Sequence, residues 1–91
     1  MKVIASKTFT RDAKRILKRN PQFAESVKVT LMLLESDVFH PQLKTHRLKG
    51  KLKNCWACSV AHDLRIVFEI VEEENEDAIL LQTIGTHDEV Y

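Results

Sequence analysis

The chain is poor in the residues that commit a sequence to an unusual architecture. Of its 91 residues only two are Gly and two Pro, which excludes collagen-like and linker-dominated chains. Two cysteines, Cys55 and Cys58, cannot staple a secreted mini-protein, so a reducing, cytoplasmic location is expected. No apolar run is long enough to span a bilayer. No stretch of signal-peptide length follows Met1, because Lys7, Arg11, Lys14 and Arg15 interrupt the first twenty residues; no targeting segment and no membrane partner are expected. There is no internal repeat and almost no net charge, +1 at neutral pH. What remains is 44% apolar and 30% charged, the balance of a globular chain rather than a disordered one. The length fits one small domain over 1–91.

The near-zero charge conceals an asymmetry. Residues 1–54 hold 13 of the 14 Lys+Arg and four of the 13 Asp+Glu, a net of +9. Residues 55–91 hold one Arg and nine acids, a net of −8. The halves either interdigitate and cancel locally or form a basic side and an acidic end. Six consecutive residues, Glu72-Glu73-Glu74-Asn75-Glu76-Asp77, favour a real acidic pole at the loop of a hairpin. A basic side attracts polyanions or an acidic partner, and salt weakens both attractions.

Periodicity supplies the elements. Residues 2–6 read as a short first strand, and Thr8 or Thr10 as the N-cap of a helix. Phe9, Ala13, Ile16 and Leu17 mark one face of that helix, which ends at Asn20-Pro21. A second helix carries Phe23, Val27, Leu31 and Leu34 at steps of four, four and three and closes at Glu35-Ser36-Asp37. Residues 38–54 read as an irregular basic segment with one extended stretch near Arg47-Leu48. Three strands follow, over about 55–61, 64–71 and 78–84. The middle one is clearest: Leu64, Ile66, Phe68 and Ile70 alternate with Arg65, Val67, Glu69 and Val71. A tail, 85–91, completes the chain. The expected fold is α+β, order β-α-α-β-β-β, with a helical hairpin packed on one face of a small, mainly antiparallel sheet. The even row of strand 64–71 faces the helices, and the odd row, with Arg65, faces away.

Several polar residues lie where strands begin or end. His46 is in the basic segment, His62, Asp63 and Arg65 are at a strand-to-strand turn, and His87 and Tyr91 are in the tail. A sheet can gather them, because neighbouring strands lie about 5 Å apart. RNA cleavage needs such a set: a base for the ribose 2′-OH, an acid for the leaving 5′-oxygen and a fixed cation for the phosphorane. Histidine can serve in either proton transfer, Arg65 offers a planar fork for phosphate oxygens, and Tyr91 offers a ring for stacking or a phenol. This chemistry calls for no metal and no cofactor. Arg47, Lys49, Lys51 and Lys53 are candidates for binding the RNA backbone, although lysines also guard strand edges. Cys55-Trp56-Ala57-Cys58 is a C-x-x-C, the spacing of zinc and redox sites. On a strand, residues three apart point to opposite faces, so two buried free thiols are the better reading.

The run His46-Arg47-Leu48-Lys49-Gly50, then Asp63-Leu64-Arg65-Ile66-Val67-Phe68, then Ile84-Gly85-Thr86-His87-Asp88-Glu89-Val90-Tyr91 resembles the RelE/ParE superfamily of bacterial toxins. It looks most like the RelE/StbE group and its YafQ-like branch, over nearly the whole chain. The resemblance implies a toxin of a type II toxin–antitoxin pair, a metal-independent endoribonuclease that cuts mRNA, usually on the ribosome, and is inhibited by a cognate antitoxin. Carried over by position, His46, Asp63, His87 and Tyr91 match functional residues, and Arg65 matches an arginine that binds the scissile phosphate in other members. His87 is then the general acid, and His46 or Asp63 the base. Ser59 stands where the branch has another histidine, with His62 as its possible accessory substitute, and Leu64 where it has an aromatic. Two other readings of the same fold are a ParE-like non-nuclease acting on a topoisomerase and an inactive remnant that still binds an antitoxin.

Overall fold

The computed structural model describes residues 1–50 and 54–90. The order is β1 (Lys2–Ala5), α1 (Lys7–Arg19), a 3₁₀ turn (Pro21–Phe23), α2 (Ala24–Ser36), a second 3₁₀ turn (Pro41–Leu43), β2 (His46–Arg47), β3 (Trp56–Ala61), β4 (Leu64–Glu73), β5 (Glu76–Thr86) and α3 (His87–Val90). These five strands form one sheet in the order β1-β5-β4-β3-β2. Among the described residues only the β1–β5 pair is parallel. The α+β class, the helical hairpin and the mainly antiparallel sheet are as the sequence implies.

One residue separates β1 from α1. Ser6, not Thr8 or Thr10, is the N-cap: its hydroxyl oxygen accepts from the Phe9 N–H at 3.0 Å. The same hydroxyl donates to the Gln82 carbonyl at 3.1 Å, and the Ser6 N–H donates to Leu81 O. The cap therefore moves upstream, because a serine just after the strand can satisfy the helix and hold the sheet together. Phe9 and Ile16 are buried, and Ala13 and Leu17 pack against them. In the second helical segment Phe23 falls in the 3₁₀ turn rather than in α2. Val27 and Leu34 are buried in α2, and Leu31 packs at the margin.

The even row of β4 does face the helices. Leu64, Ile66 and Phe68 are buried with Cys58, Ile79, Leu81, Ile84, Phe9, Ile16, Val27 and Leu34. Full burial of a side chain of this size stabilises by roughly 1.5–3 kcal/mol. Leu81 and Ile84 are three residues apart, yet both belong to this core. A β-bulge reconciles them: Val67 pairs with Thr83 and Phe68 with Leu81, leaving Gln82 as the extra residue. The unpaired Gln82 is also the residue whose carbonyl Ser6 uses.

The odd row has its own small cluster. Ala57, Val67 and Val90 are buried together, with Leu48 and Cys55 at the margin. Among the described residues α3 covers this face, formed by residues that the sequence shows only as a tail after the last strand. The two cysteines divide between the clusters, Cys58 on the helical side and Cys55 on the other, so the C-x-x-C does not converge. Burial pushes the Cys58 thiol up to about 12.

The acidic run is mostly strand, not loop. The β4–β5 turn is only Glu74-Asn75, both with positive φ (53° and 68°), the two-residue geometry that the sheet twist favours. The ladder continues to Glu72↔Asp77 and Glu73↔Glu76. Directly opposed like charges are destabilising, and Lys2 Nζ relieves one of them by pairing with Glu73 at 3.1 Å. Replacing Asp77 by Lys is expected to raise stability by up to about 1 kcal/mol, measured by denaturant titration, with the gain shrinking as salt is added.

Candidate functional site

Register decides which of the sequence-selected side chains share a face. His46 pairs with Ala57, Ala57 with Val67, and Val67 with Thr83. Further along, Ser59 pairs with Arg65 and Arg65 with Gly85. Directly paired residues project to the same side, so His46 and Arg65 leave the sheet on the face opposite the helical core, although the Arg65 guanidinium curls back to the β3–β4 turn. α3 folds back over that face, since Val90 packs on Ala57 and Val67, and His87 is its first residue.

The spread within this face is uneven. The β4–β5 ladder begins at Leu64↔Thr86, so Asp63 and His87 are the next residues beyond that rung. Asp63, Arg65 and His87 therefore occupy one end of the β4–β5 pair. His46 lies on the edge strand, three inter-strand spacings or about 15 Å from β5. His62 and Asp63 form the exposed β3–β4 turn. Arg65 is tied to that turn: its Nη1 donates to the carbonyls of Ala61 (3.2 Å), His62 (3.2 Å) and Leu64 (3.3 Å). These bonds fix the plane of the guanidinium against the turn. His46 Nδ1 lies 3.0 Å from Lys44 O, and His87 Nδ1 lies 3.6 Å from Asp88 Oδ1.

The basic candidates divide. Arg47 pairs with Trp56, which pairs with Phe68, so Arg47 points to the helical side, away from His46. Its guanidinium carbon sits 5.3 Å from the centre of the Trp56 ring, and Phe39 meets Trp56 edge-on at 5.3 Å. Such a stack stiffens the β2 edge. Lys49 is exposed; Lys51, Lys53 and Tyr91 lie outside the described residues. A hollow of about 460 Å³ opens between α2, the Pro41–Leu43 turn and the β3–β4 turn. His62 and Arg65 reach it, but His46 and His87 do not. Among the described residues no three His, Cys, Asp or Glu side chains gather as a metal site.

Sequence reasoning missed the device that builds α3. Glu89 Oε1 accepts from the Thr86 N–H at 2.8 Å, and Thr86 Oγ1 accepts from the Glu89 N–H at 3.3 Å. This is a capping box, and its T-x-x-E signature was there to be read at Thr86-His87-Asp88-Glu89. The close return of the chain needs Gly85. A Cβ there would lie 3.1 Å from Glu89 Cβ, Glu89 Oε1 and Val90 Cγ1.

Gly85→Ala is therefore expected to lever α3 off the sheet at a cost of about 1–3 kcal/mol, the usual range for overpacking. Denaturant titration and amide exchange at residues 87–90 would read it. The capping bonds, with the Arg15 guanidinium beyond them, hold the Glu89 carboxyl below its ordinary value. A lowered pKa in the folded state stabilises above the ordinary carboxylate value and fades as pH falls through the lowered one. Amide protection of Thr86 and Glu89 is thus expected to survive at pH 5 and to decline below about pH 4.

Comparison with known proteins agrees with this architecture. The family model for the bacterial toxin of type II toxin–antitoxin system, YafQ, matches residues 1–91. No curated protein matches the chain significantly by sequence. A metal-bound toxin from Helicobacter pylori is 30% identical over 100% of this chain and 99% of its own, with a TM-score of 0.73. A copper-bound mutant toxin from H. pylori is 26% identical over the same shares, with a TM-score of 0.77. E. coli YafQ, in its complex with DinJ, is 20% identical over 98% of this chain and 96% of its own, with a TM-score of 0.78. With the family model spanning every residue and the sheet and helical hairpin in accord, the chain belongs to the YafQ family of type II toxin–antitoxin toxins.

Proposed function

We propose that this toxin acts as an endoribonuclease on mRNA, on the ribosome, and is neutralised by a small antitoxin. The observation that carries the reading is that Asp63, Arg65 and His87 all stand at one end of the β4–β5 pair, around its Leu64↔Thr86 rung. His87 is the acid that protonates the leaving 5′-oxygen. Arg65, held to its turn, presents a fixed cation to the phosphorane. Asp63 stands one position beyond the rung that precedes His87, whereas His46 lies three strands away; proximity favours Asp63 as the base that takes the 2′-OH proton, with His46 binding a neighbouring part of the RNA. No step calls on a metal ion. Tyr91 and the lysines at 51 and 53 are further candidate RNA contacts.

The acidic hairpin tip does not oppose a polyanionic substrate. The acidic hairpin tip and the Leu64↔Thr86 rung are at opposite ends of a ten-residue strand, about 30 Å apart. That is more than about three Debye lengths at physiological salt, so the tip does not repel RNA held beside His87. The partner reading rests on the family and on the E. coli complex, in which YafQ is bound to DinJ.

Cleavage of mRNA on translating ribosomes tests the reading. His87→Ala is expected to reduce the rate by about 10²–10⁴, the range for loss of a general acid, and Asp63→Asn to cost more than His46→Ala. Equal rates for the wild type and His87→Ala would remove the proposed acid. Toxicity that survives loss of both His87 and Asp63 would instead favour a toxin that acts through protein contacts alone.

A further inference from the structure

One polar network lies outside the roles assigned so far, and it runs through the core margin between α1 and α3. Asp12 is a carboxylate on the buried side of α1, only 9% exposed. Its Oδ2 accepts from the Thr83 hydroxyl at 2.8 Å, which fastens α1 to β5 beside the bulge. Its Oδ1 lies 3.4 Å from Arg11 Nη2 and 4.0 Å from Arg15 Nη2. Arg15 then turns outward to α3, where the same Nη2 lies 3.5 Å from Glu89 Oε2. Glu89 uses its other oxygen to accept from the Thr86 N–H, the residue immediately before His87. A continuous path thus leads from β5 through Asp12, Arg15 and Glu89 to the backbone that carries His87.

Chemistry explains why this path is needed. α3 has four described residues, too few for a helix to stand alone. Among the described residues only Val90 anchors it by apolar burial, at the end away from His87. Toward the His87 end, Glu89 faces both the Thr86 N–H and the Arg15 guanidinium. A buried Asp12 is an unusual neighbour for a core helix, and it is satisfied by Thr83 and by two cations that it orients.

We infer that Arg15 is a positioning residue for His87: braced by Asp12, it clamps Glu89 and so fixes the α3 turn from which the imidazole projects. The consequence for cleavage rests on the nuclease reading above, while the clamp itself does not. A misplacement of about 1 Å in a catalytic group can cost on the order of 100-fold, so a clamp on α3 acts on the rate rather than on binding.

The test uses the full chain and three variants. Arg15→Ala removes the clamp; Glu89→Gln keeps an acceptor for the Thr86 N–H but removes the charge that Arg15 holds; Arg15→Lys restores a cation. The expected result is faster amide exchange at His87–Val90 in Arg15→Ala and in Glu89→Gln, with the sheet amides of β4 unchanged. In the cleavage assay kcat falls by about 10- to 100-fold with KM unchanged. The double variant loses no more than either single one, and Arg15→Lys recovers part of the rate. Exchange at residues 87–90 that matches the wild type in both Arg15→Ala and Glu89→Gln overturns the proposal, as does a loss expressed in KM alone. If the wild type itself cleaves no RNA, the nuclease reading fails, and the exchange result alone decides the clamp.

Discussion

The long antiparallel pairing of β4 with β5 is the constraint on which the rest of the molecule depends. Its register sets which side chains enter the helical core, where the chain turns back, and which residues stand beyond its last rung. A slip of one residue would exchange the two faces of a strand. Within this pairing the phase changes at Gln82, and the change has a use. Ile79 and Leu81 lie on one parity and Ile84 on the other, yet all three share the core. Beyond the bulge the changed phase also sends Gly85 to the face that α3 covers. The fastening of Ser6 to Gln82 then makes the junction of β1 and α1 part of the same irregularity. Bulge, helix cap and strand edge are one local solution.

The sheet is buried unequally on its two sides. The helical side holds the large residues, with Phe68, Leu34 and Ile66 fully enclosed. On the other side the buried cluster is Ala57, Val67 and Val90, with two half-buried neighbours. Among the described residues Asp63 and His87 are exposed and Arg65 is half-buried. The large buried side chains lie away from these three residues, so substitutions at the three leave the main core filled.

Much of this is legible in the sequence, for physical reasons. The two-residue period of Leu64, Ile66, Phe68 and Ile70 identifies β4 and its inner face, because a half-buried strand has no other way to divide its side chains. The apolar stripe of Phe9, Ala13, Ile16 and Leu17 marks α1. Helix boundaries are less secure: Ser6 cannot be told from Thr8 or Thr10 as a cap without knowing where β1 stops. The acidic run reads as a loop because charge suggests solvent, but an exposed hairpin tip is also in solvent. α3 escapes notice because four residues carry no periodicity; only the T-x-x-E spacing marks it. For the candidate site, the sequence picks out the polar residues, but it does not say that His46 lies on the far edge strand while Asp63 and His87 adjoin the same rung of β4 and β5. That distinction comes from pairing partners, which no local pattern contains.

The two-residue turn at Glu74-Asn75 keeps the acidic tip compact, at the far extremity of the hairpin from α3. α1 presents Lys7, Arg11, Lys14 and Lys18 to solvent. A body so built keeps its charges apart although its overall charge is almost nil. In the field of a highly charged polymer it experiences a torque before it experiences much net pull. Orientation can then precede contact, and a molecule that would be judged electrically indifferent from its isoelectric point still has a preferred heading in an external field.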